Sequence, residues 1–174
     1  MNHTLRNTPD TRPVVRKMLS ADVDASMAIL YRWNMKPCLV DTDASDSDQT
    51  NIVLPNSFVA EIEGRVVGVA SYVVRNAGWA ETDALGVDPD CLGLGIGYLL
   101  QRARLEEIRS RGLTRVRSET DRPETAHWYV KNFGYSIVGT RKKKPPYFGL
   151  TDCDHWTVLE LDLREHKEES RRTN

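Results

Sequence analysis

Apolar residues along this chain switch repeatedly between the two-residue repeat of strands and the roughly 3.6-residue repeat of helices, and the switches mark its elements. Val14 and Val15 suggest a first strand. Ser20 stands where it would cap a helix whose apolar positions Val23, Met27 and Leu30 recur about a turn apart, ending near Asn34. Residues 36–56 combine Pro37, Pro55 and a polar run with Asp41, Asp43, Asp46 and Asp48, which predicts a loop interrupted at most by a short helix. Residues 58–62 and 65–74 flank Glu63-Gly64 as a β-hairpin, and a strand over 79–87 follows. From about 95 to 111, Leu99, Leu100, Ala103, Leu105 and Ile108 recur at helical spacing, with Gly112 as the stop. Beyond it the pattern predicts a strand over 114–119, a helix over 122–132 opened by Asp121 and Pro123, and strands over 134–140 and 156–163.

Length and composition narrow the class without naming a chemistry. A chain of 174 residues fits one domain, here 12–163, with a flexible N-terminus over 1–11 and a flexible charged tail over 164–174. Its 24 basic and 25 acidic side chains leave a net charge of -1, so charge calls for neither nucleic acid nor a membrane as partner. Cys38, Cys91 and Cys153 lack redox or metal-ligand spacing and the histidines are scattered, so the expectation is a cytoplasmic protein with reduced thiols and no metal. No apolar run approaches the roughly 18–20 residues of a membrane span.

The chemistry concentrates at 79–98. Trp79 to Val87 reads as a strand bearing carboxylates, and Leu92-Gly93-Leu94-Gly95-Ile96-Gly97 as a glycine-rich bend opening the long helix. Glycines at alternate positions let the backbone approach an anion, and the unpaired N–H groups of a helix start supply donors and a positive dipole end. Period-two alternation puts Glu81, Asp83, Leu85 and Val87 on one strand face, so either carboxylate is a candidate base beside a phosphate-bearing molecule.

These residues resemble the GNAT superfamily of acyl-CoA-dependent N-acyltransferases. The family's pyrophosphate loop, Arg/Gln-x-x-Gly-x-Gly/Ala, aligns with Leu92 to Gly97; its glycines fall on Gly95 and Gly97, while Leu92 replaces the usual Arg or Gln. Trp79-Ala80-Glu81 resembles the Phe-Ala-Glu of histone-type members, with Glu81 eleven residues before Leu92. Ala126 to Tyr135 resembles the family's Ala-x-x-Phe-Tyr-x-x-x-Gly-Phe signature, with Tyr129 at the Phe position and Val130 at the Tyr that protonates the leaving thiolate in many members. Because one residue turns a helix by about 100°, Tyr129 replaces that Tyr only if the helix is rotated or irregular.

The resemblance implies an α/β (α+β) fold: a GNAT-type mixed, mostly antiparallel central sheet flanked by helices, with its fourth and fifth strands, 79–87 and 114–119, splayed apart. It implies acetyl-CoA as co-substrate, held by Leu85, Gly86 and Val87 along the strand and by Leu92, Gly93, Leu94, Gly95, Ile96, Gly97 and Tyr98 at the bend. It implies Glu81 as base, with Tyr129, His127 or water as the acid for the thiolate. Acceptor specificity falls to Tyr31, Arg32, Trp33 and Asn34, the aspartate-rich loop and Tyr147-Phe148. Here the aspartates favour a cationic acceptor, whereas Arg32 and Lys142, Lys143 and Lys144 favour an anionic one, unless the lysines merely face solvent. Arg102 and Arg104 are either solvated helix charges or contacts to coenzyme phosphate. The expected activity is acetyl transfer to a primary amine of a small molecule by direct attack in a ternary complex. The alternatives are a protein or peptide amine as acceptor, or a non-catalytic acyl-CoA sensor. A homodimer is left open. A Rossmann-type dinucleotide site is disfavoured, because the glycines do not follow the first strand of a βαβ unit.

Overall fold

A computed structural model describes residues 12–41, 49–76 and 78–165. The chain runs β1 (Val14–Lys17), α1 (Val23–Arg32), β2 (Pro37–Val40), β3 (Thr50–Val53), β4 (Ser57–Ile62), β5 (Arg65–Asn76) and β6 (Trp79–Val87). It continues through α2 (Ile96–Ser110), β7 (Arg115–Thr120), α3 (Pro123–Phe133), β8 (Ser136–Lys142) and β9 (His155–Asp162). Seven strands form one sheet in the order β1-β4-β5-β6-β7-β9-β8, antiparallel except between β6 and β7, which run parallel. This is the mixed, mostly antiparallel sheet expected.

Ile96, Leu100 and Ile108 of α2 and Ala126, Tyr129 and Phe133 of α3 pack with Val67, Tyr72, Val116 and Leu159 in one cluster, while Leu30 of α1 packs with Ile52, Val59, Val69 and Ala84 in another. Close approach sets two strand positions. A Cβ on Gly68 would stand 2.8 Å from Leu100 Cδ1 and 2.9 Å from Ile96 Cγ2, so this glycine seats the start of α2 on the sheet. A Cβ on Gly86 would lie 2.8 Å from Leu30 Cδ2 of α1.

Several expectations need correction. Residues 36–56 hold the short parallel pair β2–β3, which was not expected, followed by a short helical turn at Leu54–Asn56, which was; Thr50 to Val53 are all buried, and Ile52 and Val53 make an apolar strand that the surrounding polar run obscures. Asp43, Asp46 and Asp48, like the expected flexible N-terminus and nearly all of the tail, lie outside the described residues. Ser20 does not cap α1: it opens a tight turn before it, closed by the Leu19 N–H donating to the Asp22 carboxylate at 2.8 Å. Arg16 clamps that same carboxylate and holds it below the usual range. Asp121 does not cap α3 either, because Lys143 and the Leu150 N–H use its carboxylate.

Candidate active site

The β6–β7 ladder sets the site. The two strands pair from Trp79 to Thr82 against Arg115 to Ser118, after which β6 continues to Val87 with no β7 partner and β7 continues along β9. A cleft of about 430 Å³ opens where they part. Glu81, Thr82, Asp83, Leu85, Gly86 and Val87 form one wall, Leu92 and Gly97 lie at its loop end, and Trp33, Trp128, Phe148 and Trp156 supply aromatic surface.

The bend 92–97 meets the requirements of an anion cradle. Gly93 and Gly95 have φ of 80° and 74°, the left-handed region that glycine adopts without strain, and a Cβ on either would meet nothing within 4 Å. Gly95 stands at the N-cap of α2 with no side-chain cap, and the first turn carries no acidic residue. The opening N–H groups therefore face outward beneath an uncompensated dipole. Leu92 and Leu94 are exposed. Ile96 is buried, so it can serve a ligand only through its backbone, and Tyr98 stacks on Phe133 at 5.1 Å. Of the positions expected to hold coenzyme, Leu85, Gly86, Val87, Leu92 and Gly97 line the cleft, whereas Gly93, Leu94, Gly95, Ile96 and Tyr98 belong to the bend and helix start beside it.

Both β6 carboxylates reach the cleft, and they differ. Glu81 accepts from Arg75 Nε at 2.9 Å, a charge-assisted contact that keeps its carboxylate occupied. Asp83 lies where β6 loses its partner and accepts from Asn51 Nδ2 at 2.7 Å. Removal from water, aided by the negative charge of Glu81 and opposed by the Asn51 hydrogen bond, pushes the Asp83 carboxyl up to about 7. A carboxyl half-ionised at neutral pH is matched to exchanging a proton there.

The remaining acids on the wall are backed by cations. Glu119 accepts from Arg141 Nη2 at 2.7 Å and Arg117 Nη2 at 3.0 Å. Asp121 accepts from Lys143 Nζ at 2.8 Å. Lys143 is buried, also donates to the Phe148 and Leu150 carbonyls, and lies 4.4 Å over the Trp156 ring. It is neither solvated nor free to clamp an anion. Arg32 is committed to Asp88 at 2.7 Å and Asp90 at 3.2 Å. Among the described residues lining the cleft, Arg122 is the one cation, 5.3 Å over the Trp33 ring, against Glu81, Asp83, Glu119, Asp121 and Glu124.

The other expected residues divide. Trp33 lines the cleft and donates Nε1–H to the Val87 carbonyl at 2.8 Å, so that carbonyl is already engaged. Tyr31 is exposed away from it, and Asn34 exchanges hydrogen bonds with Gly149, tying the loop before β9 to the end of α1. Tyr129 is not on the cleft wall: α3 is regular, and its Ala126, Tyr129 and Phe133 face turns into the core, leaving Trp128 toward the cleft. The Tyr129 hydroxyl lies 3.3 Å from Arg104 Nη2. His127 is exposed on α3 outside the cleft. Arg104 is wholly buried rather than solvated or directed at coenzyme. Its place in the series Ile96, Leu100, Arg104, Ile108, one apolar stripe of α2, was the available signal. Asn51 and Arg75, the hydrogen-bond partners of the two β6 carboxylates, carried no sequence signal. No group of three or more His, Cys, Asp or Glu among the described residues is arranged to hold a metal.

Comparison with known proteins agrees with this architecture. Residues 27–135 match the acetyltransferase (GNAT) family model. A mycothiol acetyltransferase of Thermomonospora curvata is 33% identical over 92 residues, which are 51% of this chain and 31% of that protein, so the match spans about a third of the relative's length. The ribosomal-protein-S18-alanine N-acetyltransferase of Escherichia coli superimposes with a TM-score of 0.63 at 18% identity, covering 87% of this chain and 94% of that one. The yncA protein of Salmonella typhimurium, solved with its cofactor acetyl-CoA, superimposes at 0.62 and 19% identity, covering 88% and 95%. At those identities the two structures speak to the fold alone, and the family model, which matches more than half of the chain, carries the assignment: the chain belongs to the acetyltransferase (GNAT) family.

Proposed function

We propose that this protein transfers an acetyl group from acetyl-CoA to the primary amine of a small, cationic molecule by direct attack in a ternary complex, and that Asp83 rather than Glu81 receives the amine proton. The carrying observation is the Asp83 carboxyl, raised to about 7 on the cleft wall where β6 parts from β7. The uncapped start of α2 and the open glycine bend fit a diphosphate, and the free edge of β6 fits the amides of a pantetheine arm as an added strand would. The wall also favours a cationic acceptor. Arg32 and Lys143, which argued for an anion, are consumed by internal partners, and although Glu81, Glu119 and Asp121 are paired as well, the described residues lining the cleft include five carboxylates against one arginine. Trp128 offers aromatic surface to a cation, whereas Trp33 and Trp156 already carry Arg122 and Lys143 over their rings.

Purified protein incubated with acetyl-CoA and a panel of diamines, polyamines, amino acids and short peptides should release CoA, followed by thiol titration with products identified by mass spectrometry. Diamines and polyamines should lead. Release no faster than that of an Asp83→Asn variant would refute the reading. Tyr129 packs in the core and does not line the cleft, which favours solvent as the proton source for the thiolate. The same observation supports a second reading, acyl-CoA binding without turnover, for which calorimetry would find CoA affinity and the amine panel would stay silent.

A further inference from the structure

Arg104 has no solvent exposure, and no carboxylate among the described residues accepts from it. Its guanidinium donates to the side-chain oxygen of Gln101, to the Ser71 carbonyl at 2.9 Å, to the Ala84 carbonyl at 2.6 Å and toward the Tyr129 hydroxyl at 3.3 Å. An arginine does not surrender its proton in a protein, so a whole positive charge sits in the core facing only dipoles. Burying a charge in this way is costly, and one of its shortest contacts is to the backbone carbonyl of Ala84, on the strand that forms the cleft wall.

We propose that Arg104 is a positioning residue for acetyl transfer: by holding the Ala84 carbonyl it aims and polarises the Leu85 N–H as donor to the thioester carbonyl oxygen. The proposal rests on the acetyl-transfer reading above. Arg104 Nη1 bridges carbonyls of β5 and β6 at the irregularity where their register shifts between Ala70 and Tyr72. The Asp88 N–H donates to the Val67 carbonyl at 2.8 Å, so by strand alternation Gly86 and Ala84 also turn their backbone groups toward β5. In a trans peptide the N–H points opposite to the C=O. The Leu85 N–H therefore points away from β5, to the side where β7 has stopped pairing. Val87 confirms the parity, because its carbonyl meets the indole of Trp33 on the cleft wall.

During transfer the amine nitrogen bonds to the thioester carbon, the C–S bond breaks with its electron pair left on sulfur, the amine proton passes to Asp83 and the sulfur takes a proton from solvent. Negative charge rises and falls on the carbonyl oxygen, and the Leu85 N–H meets it. A cation on the far end of the same peptide unit strengthens that donor and locks its direction before reaction. Arg104 itself neither gains nor loses a proton.

The test compares wild type with Arg104→Met, Arg104→Lys and Arg104→Gln by steady-state kinetics, CoA calorimetry, thermal unfolding and the infrared carbonyl stretch of bound, carbonyl-labelled acetyl-CoA. Arg104→Met should lower kcat by about tenfold or more and raise the carbonyl frequency, while the acetyl-CoA KM and CoA affinity stay within about threefold. Arg104→Lys should recover part of both. A folded Arg104→Met variant with wild-type kcat and wild-type carbonyl frequency overturns the proposal, whatever its melting temperature. If Arg104→Met does not fold, Lys and Gln carry the comparison, and equal kcat and equal frequency in those two overturn it. Wild type that binds acetyl-CoA with a lowered carbonyl frequency yet acetylates no amine overturns the proposed function and leaves the Arg104 effect standing. Wild type that turns over, with unaltered variants, overturns only the latter.

Discussion

Asp83→Asn separates stability from activity in a way that only a half-buried, high-pKa carboxyl can. The unfolded chain ionises this group near 3.8 and the folded protein near 7. At about 1.4 kcal/mol per pH unit, carrying the ionised carboxylate costs the native state up to about 4 kcal/mol, less whatever water in the cleft recovers. The sign follows from which state holds the proton longer. Between about pH 4 and pH 7 the native state binds more protons than the unfolded one, so wild-type stability falls as pH rises through that window and levels off above it. The amide of Asp83→Asn has nothing to ionise and can still accept from Asn51. Urea unfolding from about pH 4.5 to 8.5 should therefore show the variant gaining on wild type with rising pH, by a few kcal/mol at the alkaline end. Over the same range wild-type kcat/KM should climb through about pH 7 as Asp83 becomes basic, while the variant stays about a hundredfold or more below it. Stability curves that remain parallel across this range would refute the reasoning, since they would mean that Asp83 titrates alike folded and unfolded.

Other perturbations follow from the same contacts. Glu81→Gln removes a negative charge that raises Asp83, so the acid limb of the rate profile should move below pH 7 with activity at neutral pH kept within about tenfold; a collapse matching Asp83→Asn would return the base to Glu81. Lys143→Met strands the buried Asp121 carboxylate at a cost of about 3–5 kcal/mol, read as a fall of roughly 10 °C in Tm, and a shift of only a degree or two would mean that the pair contributes little. Gly68→Ala pushes Ile96 and Leu100 off the sheet for about 1–3 kcal/mol, and because Ile96 opens α2, the KM for acetyl-CoA should rise more than the KM for the amine.

Local patterning carried most of the fold. The alternation from Trp79 to Val87, the hairpin around Glu63-Gly64 and the stripe of α2 are contacts between sequence neighbours, and they predicted the elements within a few residues. What escaped depends on distant partners. How Glu81 and Asp83 differ turns on their partners Arg75 and Asn51, and burial of Lys143 turns on a loop folding back over Trp156. Tyr129 shows the reverse: the 100° step between helix neighbours gave fair warning that it would miss the cleft. Arg104 broke an apolar stripe, and a charge standing on such a stripe calls for a reason even before any coordinates exist.

The paired acids of the cleft form a double layer, with oxygens inward and the guanidinium and ammonium groups of Arg75, Arg141 and Lys143 behind them. The field of such pairs dies away faster with distance than that of bare charge, so the cleft exerts little long-range pull on a diffusing cation and favours it chiefly on contact. Capture of the acceptor should then be nearly indifferent to ionic strength, with discrimination between amines residing in how fast each one leaves.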